Sequence, residues 1–539
     1  MPMRTSLEAL LDLAADVMGH DPRTLPAEAA GSPFITLGGT LEQAMRLQAR
    51  AEEQLRFSLD LALLLGPAPL AEVLALAVPA AAVSPERRPG PWQGPVLPQQ
   101  RTALTPGRPA HAAYRVLSAE LSGPLKPAAL RTALDALGAR HEGLRTVFTP
   151  SATGPVRRVL ADCPIPLVTL ERVPSRPGQD AVTAVHTRLA ADVQNLAGRP
   201  GRPPLAFVLT PLGSGRRLLS FLHHEAVADA WSAALVWQEL LDDYGRTSAG
   251  RPPARTVAPG PDPVARRAES LRRSGALRAL TAERAGQLRD VPPEATPTTV
   301  GRLPDAFDFR GERLSFGIDE DLRDAVDATA RRAGVPHSTV VLAAWVLTLG
   351  RRARVDRLLV GTEMPLRPTA ALLRTVAPCT ATLPVRCEVE PTTDYFLRGL
   401  ACAFSEALAY AEVDAAWLTR ELGLPEAPSR PSAPTRVTFA AHDELLPTSV
   451  RSGGLTARFH HGHLGGATAD AALTVLRWRE RPLLALDFAT SALHRSDAVR
   501  LAAELRTTLR ALSHSHPWTP VDDLLPRTAV RGARAAAVG

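Results

Sequence analysis

The chain has 539 residues, 45% of them hydrophobic and 22% charged, with a formal net charge of +7. That length predicts more than one domain, and the composition is that of an ordinary globular protein. The positive charge is almost all arginine, spread along the chain, and aromatic residues are only 4% of the total. A chain without a basic block or stacking aromatics is a poor candidate for binding nucleic acid.

Cysteine usage and the N-terminal segment predict a cytoplasmic location. Glu8 and Asp12 interrupt the segment where a signal peptide would be apolar. The apolar stretch 59–83 contains Asp60, Pro67, Pro69 and Glu72, which argues against a membrane span. No pair of cysteines has the spacing of a zinc site or suggests a disulfide framework, so we expect reduced thiols at Cys163, Cys379, Cys387 and Cys402.

Residues 1–80 predict a small helical bundle. Leucines and valine recur at helical spacing over 7–17, and a second helix is predicted over 41–55. A third apolar stretch begins at Phe57, breaks at a Gly-Pro pair and resumes as a short helix. Residues 81–96 are rich in proline and predict a stiff linker.

Beyond the linker, helices alternate with short β-rich runs, a pattern that predicts an α/β domain. One amphipathic helix is predicted over 263–288, in a proline- and arginine-rich region. This region is interpreted as a crossover between two halves of the domain, 97–300 and 301–520. The C-terminal segment 521–539 is predicted to be a tail, disordered towards its end.

Four stretches of the α/β region resemble, in the same order, the motifs "PAQxR", "RHExLRTxF", "xGTPxxxR" and "VGPFVNTLPLR" of condensation domains in nonribosomal peptide synthesis. The second match is nearly complete over nine residues and is therefore specific. The stretches are LPQQR at Leu97–Arg101, RHEGLRTVF at Arg140–Phe148, VGTEMPLR at Val360–Arg367 and VAPCTATLPVR at Val376–Arg386. The resemblance implies an α/β fold of two chloramphenicol-acetyltransferase-like halves in a V. Carrier-bound thioesters would then enter a tunnel at the junction from opposite ends.

The stretch LLSFLHHEAVADAWS, residues 218–232, resembles the "HHxxxDG" motif of that family, but four residues rather than three separate His224 from Asp229. Two alignments with the motif, called frames below, are possible. In the insertion frame the loop has gained a residue, and His224 is the second, catalytic histidine of the motif. In the substitution frame Glu225 has replaced that second histidine, and His224 is the first. Insertions in tight active-site loops are rarer than substitutions, and the family's glycine is already Ala230, so we favour the substitution frame.

The candidate catalytic residues are therefore His223, His224 and Glu225. Histidine suits the task because its ordinary pKa of about 6.5 lets it accept a proton near neutral pH. A glutamate, with an ordinary pKa of about 4.3, would be ionised and a poor base unless burial raised its pKa. It could also orient a cationic amine. The resemblance assigns Asp229 and Arg367 a structural ion pair, and Asp229 would also cap the helix that starts after it.

The N-terminal bundle resembles a peptidyl carrier protein. Its stretch LGGTLEQAM, residues 37–45, is similar to "LGGTSLEAM", but Leu41 stands where the serine would carry phosphopantetheine. We expect a degenerate carrier with no covalently bound cofactor, so that substrates arrive on a partner carrier's phosphopantetheine. We also expect no metal site, because the histidines of FHHGH, residues 459–463, have no carboxylate or cysteine at ligand spacing and suit a solvated loop.

Three functions remain open. The first is a condensation-type acyltransferase of secondary metabolism, which moves an acyl or aminoacyl group from a carrier-bound thioester to an amine or hydroxyl. The second is a catalytically silent condensation-like platform that binds carrier proteins or tailoring enzymes. The third is an acyltransferase that uses coenzyme A. The expected partners are carrier proteins or synthetase modules and small-molecule acyl and amine substrates, with neither nucleic acid nor membrane.

Overall fold

The structure is a computed structural model that describes residues 3–19, 27–80, 91–105, 107–151, 154–291, 307–367, 369–424, 433–443 and 445–524. Most of the predicted linker, and the part of the tail expected to be disordered, lie outside the described residues. The cysteines are free thiols; Cys402 is exposed and the other three are buried. No single described helix is long and apolar enough to cross a membrane; one consecutive pair passes that test jointly, but it is bent by 103° at its break.

The N-terminal unit, residues 3–80, is a small helical bundle with its own apolar core. The second helix is shorter than predicted: it ends at Arg50, and a single π-helical turn over Ala51–Leu55 follows it. Its elements are α1 (Met3–Met18), α2 (Leu41–Arg50), β1 (Phe57–Ser58), α3 (Leu61–Leu64), α4 (Leu70–Ala75) and β2 (Val78–Pro79).

The first half continues to about residue 291 and alternates strands with helices, as its sequence predicts. Its elements are β3 (Trp92–Gly94), α5 (Pro98–Ala103), α6 (Ala110–Ala113), β4 (Tyr114–Ser122), α7 (Pro127–Arg140), β5 (Thr146–Thr149), β6 (Val156–Val159), β7 (Leu167–Thr169), α8 (Ala181–Ala197), β8 (Leu205–Gly213), β9 (Arg216–His224), α9 (Ala230–Ser248), α10 (Asp262–Ser274) and α11 (Ala276–Leu288).

The second half has the same alternation. Its elements are β10 (Gly311–Gly317), α12 (Glu320–Ala333), α13 (His337–Ala353), β11 (Arg357–Pro365), α14 (Ala370–Leu373), β12 (Thr380–Glu388), α15 (Thr393–Leu408), α16 (Ala415–Glu421), β13 (Val437–Ala441), β14 (Ser449–Ser452), β15 (Leu455–His461), β16 (Ala471–Arg477), β17 (Leu483–Ala489) and α17 (Arg495–Ser513).

The predicted single helix over 263–288 is wrong. It is two helices, α10 and α11, because Gly275 between them has a positive φ of 80°. That left-handed conformation ends an α-helix and is open to glycine without a steric cost.

Each half contains a six-stranded sheet, but the boundary between the halves is not a clean cut in the chain. The second sheet has the order β10-β17-β16-β13-β11-β12. The first has the order β14-β15-β4-β9-β8-β7, so β14 and β15 leave the second half and join the sheet of the first. β15 pairs antiparallel with β4, from Thr456 opposite Ser122 to His461 opposite Leu117. The predicted division at 300/301 therefore misplaces these two strands.

The end of the second half also differs from the prediction. Val521, assigned to the C-terminal tail, is 3% exposed and belongs to the core of the second half. A short 3-10 turn over Val521–Asp523 closes this edge, where Val521 donates its backbone N–H to Pro391 O at 3.0 Å. Burial of an apolar side chain ties these first residues of the predicted tail to the folded domain.

Candidate active site

The two histidines of the turn end strand β9 on opposite faces of the first sheet. His223 is paired with Arg115 of β4, and His224 is paired with Tyr114. Successive side chains of a strand alternate between faces. His223 therefore shares its face with Phe221, which packs in the core beneath α7 and α9, and His224 shares the face that α8 covers.

His223 is a buried side chain of the first half. It is 3% exposed, its ring stacks on Phe221 with centroids 4.8 Å apart, and its Nδ1 has no hydrogen-bond partner within the described part of the chain. Burial lowers the pKa of His223 to about 4, since the charged form would lose its hydration. The ring is thus neutral near pH 7.

His224 is partly buried and held in one orientation. Its Nδ1 accepts the backbone N–H of Ala226 at 3.0 Å, and its ring meets Tyr114 edge to face with centroids 5.0 Å apart. Burial lowers its pKa to about 4, against the opposing charge of Glu225. A neutral imidazole that accepts at Nδ1 carries its proton on Nε2. Nε2–H is therefore the hydrogen-bond donor of this ring.

Glu225 follows the strand and is bound by two arginines. Arg108 Nη1 lies 2.7 Å from Glu225 Oε2, and Arg115 Nη2 contacts Oε1. Its backbone N–H donates to Ala113 O at 2.9 Å. Burial alone would raise the pKa of this carboxyl, but the charges of Arg108 and Arg115 outweigh it and hold the pKa below its ordinary value. The charges around the carboxyl of Glu225 thus favour its ionised form.

Asp229 caps α9 and collects hydrogen bonds from both halves. Its Oδ1 accepts the backbone N–H of Ser232 at 2.8 Å, and its Oδ2 accepts those of Cys379 and Thr380 at 2.9 and 3.0 Å. Arg367 Nη2 lies 2.9 Å from Oδ1 and 3.0 Å from Oδ2. Burial would raise the pKa of Asp229, but the charge of Arg367 and the bonds from Ser232 lower it.

Arg367 is fully buried, with a relative exposure of 0%. Besides Asp229, it binds backbone carbonyls of the loop between β11 and β12: Nη1 donates to Leu372 O at 2.6 Å and Thr375 O at 2.8 Å, and Nη2 donates to Ala377 O at 2.9 Å. The ion pair that the resemblance implied is thus present, within a network that also fixes this loop.

The replaced motif residues fit the fold without strain. Ala230, in place of the motif glycine, is the first residue of α9, where helical geometry does not require glycine. Ala381, in place of the asparagine of "VNT", lies in β12 and packs partly against the core of the second half.

The second half presents a charged pair that sequence reasoning missed. Asp487 of β17 accepts two hydrogen bonds from Arg313 of β10, at 2.6 and 2.7 Å. Arg313 Nη1 also donates to His461 O and to Gly462 O, both at 3.1 Å, beside the strand that joins the two sheets. Burial would raise the pKa of Asp487, but Arg313 lowers it, and the charge of Arg115 contributes in the same direction. Arg115 therefore contacts Glu225 directly and contributes charge to the environment of Asp487.

The arginines that bind Glu225 were also missed. Arg108 and Arg115 lie more than 100 residues before it in the chain and carry no motif. Only the pairing of β4 with β9 could have indicated Arg115, since it stands opposite His223. The loop predicted for FHHGH is wrong for His460 and His461, which end strand β15, whereas His463 follows the strand in a loop. His460 Nε2 lies 3.2 Å from Glu120 Oε2, and burial, the largest cause, lowers the pKa of His461 to about 3. The described residues contain no group of three or more metal ligands.

Leu41 is the first residue of α2, at the start of the helix where the resemblance places the carrier serine. The preceding residue, Thr40, is the N-cap, and its side chain accepts the N–H of Gln43, whose own side chain accepts the N–H of Thr40. Leu41 itself packs against the core of the N-terminal unit. Its role in the structure is apolar contact, without a nucleophilic oxygen.

Two six-stranded sheets with helices, joined by β14 and β15 and by the Asp229–Arg367 network, define an acyltransferase fold of two chloramphenicol-acetyltransferase-like halves. Solved structures share it: the first condensation domain of the calcium-dependent antibiotic synthetase aligns with a TM-score of 0.66 at 20% identity, over 80% of this chain and 98% of that one. The X-domain from teicoplanin biosynthesis aligns with a TM-score of 0.66 at 22% identity, over 82% and 98%.

The condensation domain family model matches residues 96–525, so the chain belongs to the condensation domain family. Members of this family are acyltransferases that form amide bonds in nonribosomal peptide synthesis. Chondramide synthase cmdD of Chondromyces crocatus is 27% identical over 409 residues, which are 73% of this chain and 10% of that protein. Phosphinothricin tripeptide synthetase PhsC of Streptomyces viridochromogenes is 29% identical over 53% of this chain and 26% of that protein. The chain thus spans a minor part of these relatives, and residues 1–95 lie outside the family match.

Proposed function

We propose that this chain transfers an acyl or aminoacyl group from a thioester on a partner carrier's phosphopantetheine to an amine or hydroxyl, at the turn of His223, His224 and Glu225. The family match and the similar synthetases support this reaction class. The observation that carries the site is the orientation of His224: Ala226 N–H donates to Nδ1, which puts the ring proton on Nε2. We assign this Nε2–H to the substrate.

In this geometry His224 acts as a hydrogen-bond donor rather than as a base. A donor aimed at the thioester carbonyl oxygen stabilises the negative charge that develops there as the neutral amine attacks the carbonyl carbon. The amine loses one proton and the departing thiolate gains one, so the reaction needs no net proton uptake. His223 lies on the other face of β9, where its ring stacks on Phe221, and has no part in this step of the proposal.

Glu225 has an electrostatic role in this proposal. Its ionised carboxylate pairs with Arg108 and Arg115 and offsets part of their charge beside the turn. A carboxylate with a lowered pKa is a weak base, so Glu225 does not replace the second histidine of the motif. We therefore assign the catalytic place to His224 in this proposal, with the extra residue in the loop before Asp229. This assignment is the insertion frame and not the substitution frame that the sequence favours.

The test is product formation with carriers loaded with different aminoacyl groups, mixed with free amines or a second loaded carrier and followed by mass spectrometry. We expect wild-type protein to form product and His224→Ala to lose on the order of 10²-fold or more in rate, since a lost oxyanion donor has this effect. Equal rates for the two proteins would remove His224 from the mechanism.

A silent platform is the second candidate function. The X-domain of teicoplanin biosynthesis, 22% identical to this chain, has been solved in complex with OxyB. Two features here suit a protein kept for binding: both histidines of the turn have lowered pKa values, and both carboxylate oxygens of Glu225 are engaged by arginines. Stable binding of a carrier or a tailoring enzyme, with no turnover for any loaded carrier, would favour this candidate.

We also infer that the N-terminal unit is a degenerate carrier-like domain. Its helical bundle, the Leu-Gly-Gly before Thr40 and the position of Leu41 at the start of α2 support this inference. A domain of this kind would have kept the fold of a carrier after the loss of its attachment residue.

A further inference from the structure

The N-terminal unit is fixed to the second half of the condensation domain. Ser405 Oγ of α15 donates to Ala62 O at 3.0 Å, and Phe404 and Leu408 of the same helix pack against the core of the unit. A mobile carrier would not share apolar core contacts with its neighbour. The unit is thus part of one packed body.

Helix α2 is buried on more than the face that its own bundle uses. Ala44 and Leu47 belong to the core of the unit, and both are 0% exposed. Glu42 and Ala49 are also buried, at 8% and 7%, and Met45 is 0% exposed although it is not part of that core. The second buried face of α2 lies against α14 of the second half.

Glu52, in the turn that follows α2, makes a directed bond to the start of α14. Its Oε2 accepts the backbone N–H of Ala370, the first residue of α14, at 2.7 Å. Its Oε1 accepts the hydroxyl of Ser58 at 2.9 Å, so both oxygens are engaged and the carboxylate is oriented. Hydrogen bonds to an ionised acceptor are stronger than neutral ones.

The far end of α14 is held by the residues of the active site. Arg367 Nη1 donates to Leu372 O at 2.6 Å, and the same side chain binds Asp229 through Nη2. Trp231, in the first turn of α9, donates Nε1–H to Leu373 O at 3.0 Å. A continuous chain of contacts therefore runs from Glu52 through α14 and Arg367 to the loop that follows His224.

We propose that the N-terminal unit is a positioning element of the active site, with Glu52 as its positioning residue. Glu52 fixes the start of α14, and Arg367 and Trp231 bind the end of the same helix. Because Arg367 also binds Asp229, Glu52 indirectly fixes the position of Asp229 at the start of α9. The catalytic consequence rests on the proposed acyltransferase function; the structural coupling does not. This gives a unit that lacks the carrier serine a reason to remain in the chain.

Hydrogen exchange tests the coupling in the full chain without any substrate. Glu52→Ala removes the acceptor, Glu52→Gln restores an oxygen acceptor without charge, and Glu72→Ala, at an exposed position of α4, is the matched control. We expect faster exchange in Glu52→Ala at residues 370–375 and also at 226–233, with partial recovery in Glu52→Gln and no change in Glu72→Ala. Unchanged exchange at 226–233 in Glu52→Ala would overturn the proposal, since Glu52 would then have only a local effect.

Once a loaded carrier that the protein turns over has been found, the same variants can be compared by their kcat and KM. A misplaced catalytic group lowers the rate of the chemical step without weakening substrate binding, so Glu52→Ala should lower kcat about threefold or more and change KM less than about twofold. Glu52→Gln should recover part of the loss. A changed KM with an unaltered kcat would overturn the positioning role. Hydrogen exchange is measured without substrate and does not depend on acyltransferase activity. If the protein had no such activity but Glu52→Ala still raised exchange at 226–233, only the proposed function would be refuted.

Discussion

Arg367 donates hydrogen bonds from Nη2 to both carboxylate oxygens of Asp229, at 2.9 and 3.0 Å, and so joins the loop between β11 and β12 to the start of α9. The two residues are 138 positions apart in the chain, and Arg367 is 0% exposed. The first testable consequence concerns the stability of this pair.

Replacing Asp229 by alanine should destabilise the protein by about 3–5 kcal/mol, because Arg367 would remain buried without a counter-charge. The measurement is the free energy of unfolding in urea at pH 7. Asp229→Asn is the matched control, since its side-chain oxygen can still cap α9 while the charge is lost, and it should give a loss of intermediate size. An alanine variant within about 1 kcal/mol of wild type would show that the pair does not contribute as its geometry implies.

Stability should rise with pH between about 4 and 6.5 because of His223. Its pKa of about 4 is below that of an unfolded histidine, so in this window the unfolded chain binds more protons than the folded one. The contribution is full above pH 6.5 and is lost as the pH falls towards 4. Replacing His223 by phenylalanine should flatten the dependence of the unfolding free energy on pH over this window. A variant with the slope of wild type would contradict the prediction.

The role of His224 can be separated from that of a base by His224→Gln. Glutamine supplies an N–H donor at comparable reach but does not titrate near neutral pH. If His224 donates, His224→Gln should retain clearly more activity than His224→Ala, and its rate should not acquire a new dependence on pH between 6 and 8. A glutamine variant as inactive as the alanine variant would instead indicate proton abstraction by the ring.

Glu225→Gln should lower the rate less than about tenfold, whereas loss of a general base costs on the order of 10²–10⁴. The reason is that the carboxylate is bound to Arg108 and Arg115, which lower its pKa, so its loss changes the charge of the turn but removes only a weak proton acceptor. The variant is compared with His224→Ala under the same assay. A loss of 10²-fold or more in Glu225→Gln would restore the substitution frame and make Glu225 the base.

The N-terminal unit should take up no phosphopantetheine. Leu41 has no oxygen to attack coenzyme A, and α2, which begins at Leu41, is packed against α14. Incubation with a promiscuous phosphopantetheinyl transferase and coenzyme A, followed by intact mass, should show no adduct. Leu41→Ser should also remain unmodified in the folded chain, because the helix that a transferase would bind is covered. An adduct on residues 1–80 of wild type would refute the prediction, and one on Leu41→Ser would show that α2 is accessible.

Local sequence determined the elements and the position of the turn. The periodicity of apolar residues predicts the N-terminal bundle and the α/β alternation, and Asp229 before Ala230 predicts a capped helix, because capping depends on residues within one turn. The prediction of a single helix over 263–288 was wrong at Gly275. There, one residue with positive φ interrupts an amphipathic pattern that continues on both sides.

Tertiary structure alone decided the chemistry of the turn. His224 is given its tautomer by the bend that brings Ala226 N–H to Nδ1, and Glu225 is kept ionised by arginines that β4 and the segment before it supply from more than 100 residues away. The same holds for β14 and β15 in the first sheet and for Glu52 at the start of α14. The physical reason is that a pKa, a tautomer or a docking contact depends on which charges and donors surround a group in space, and a sequence motif records only its neighbours along the chain.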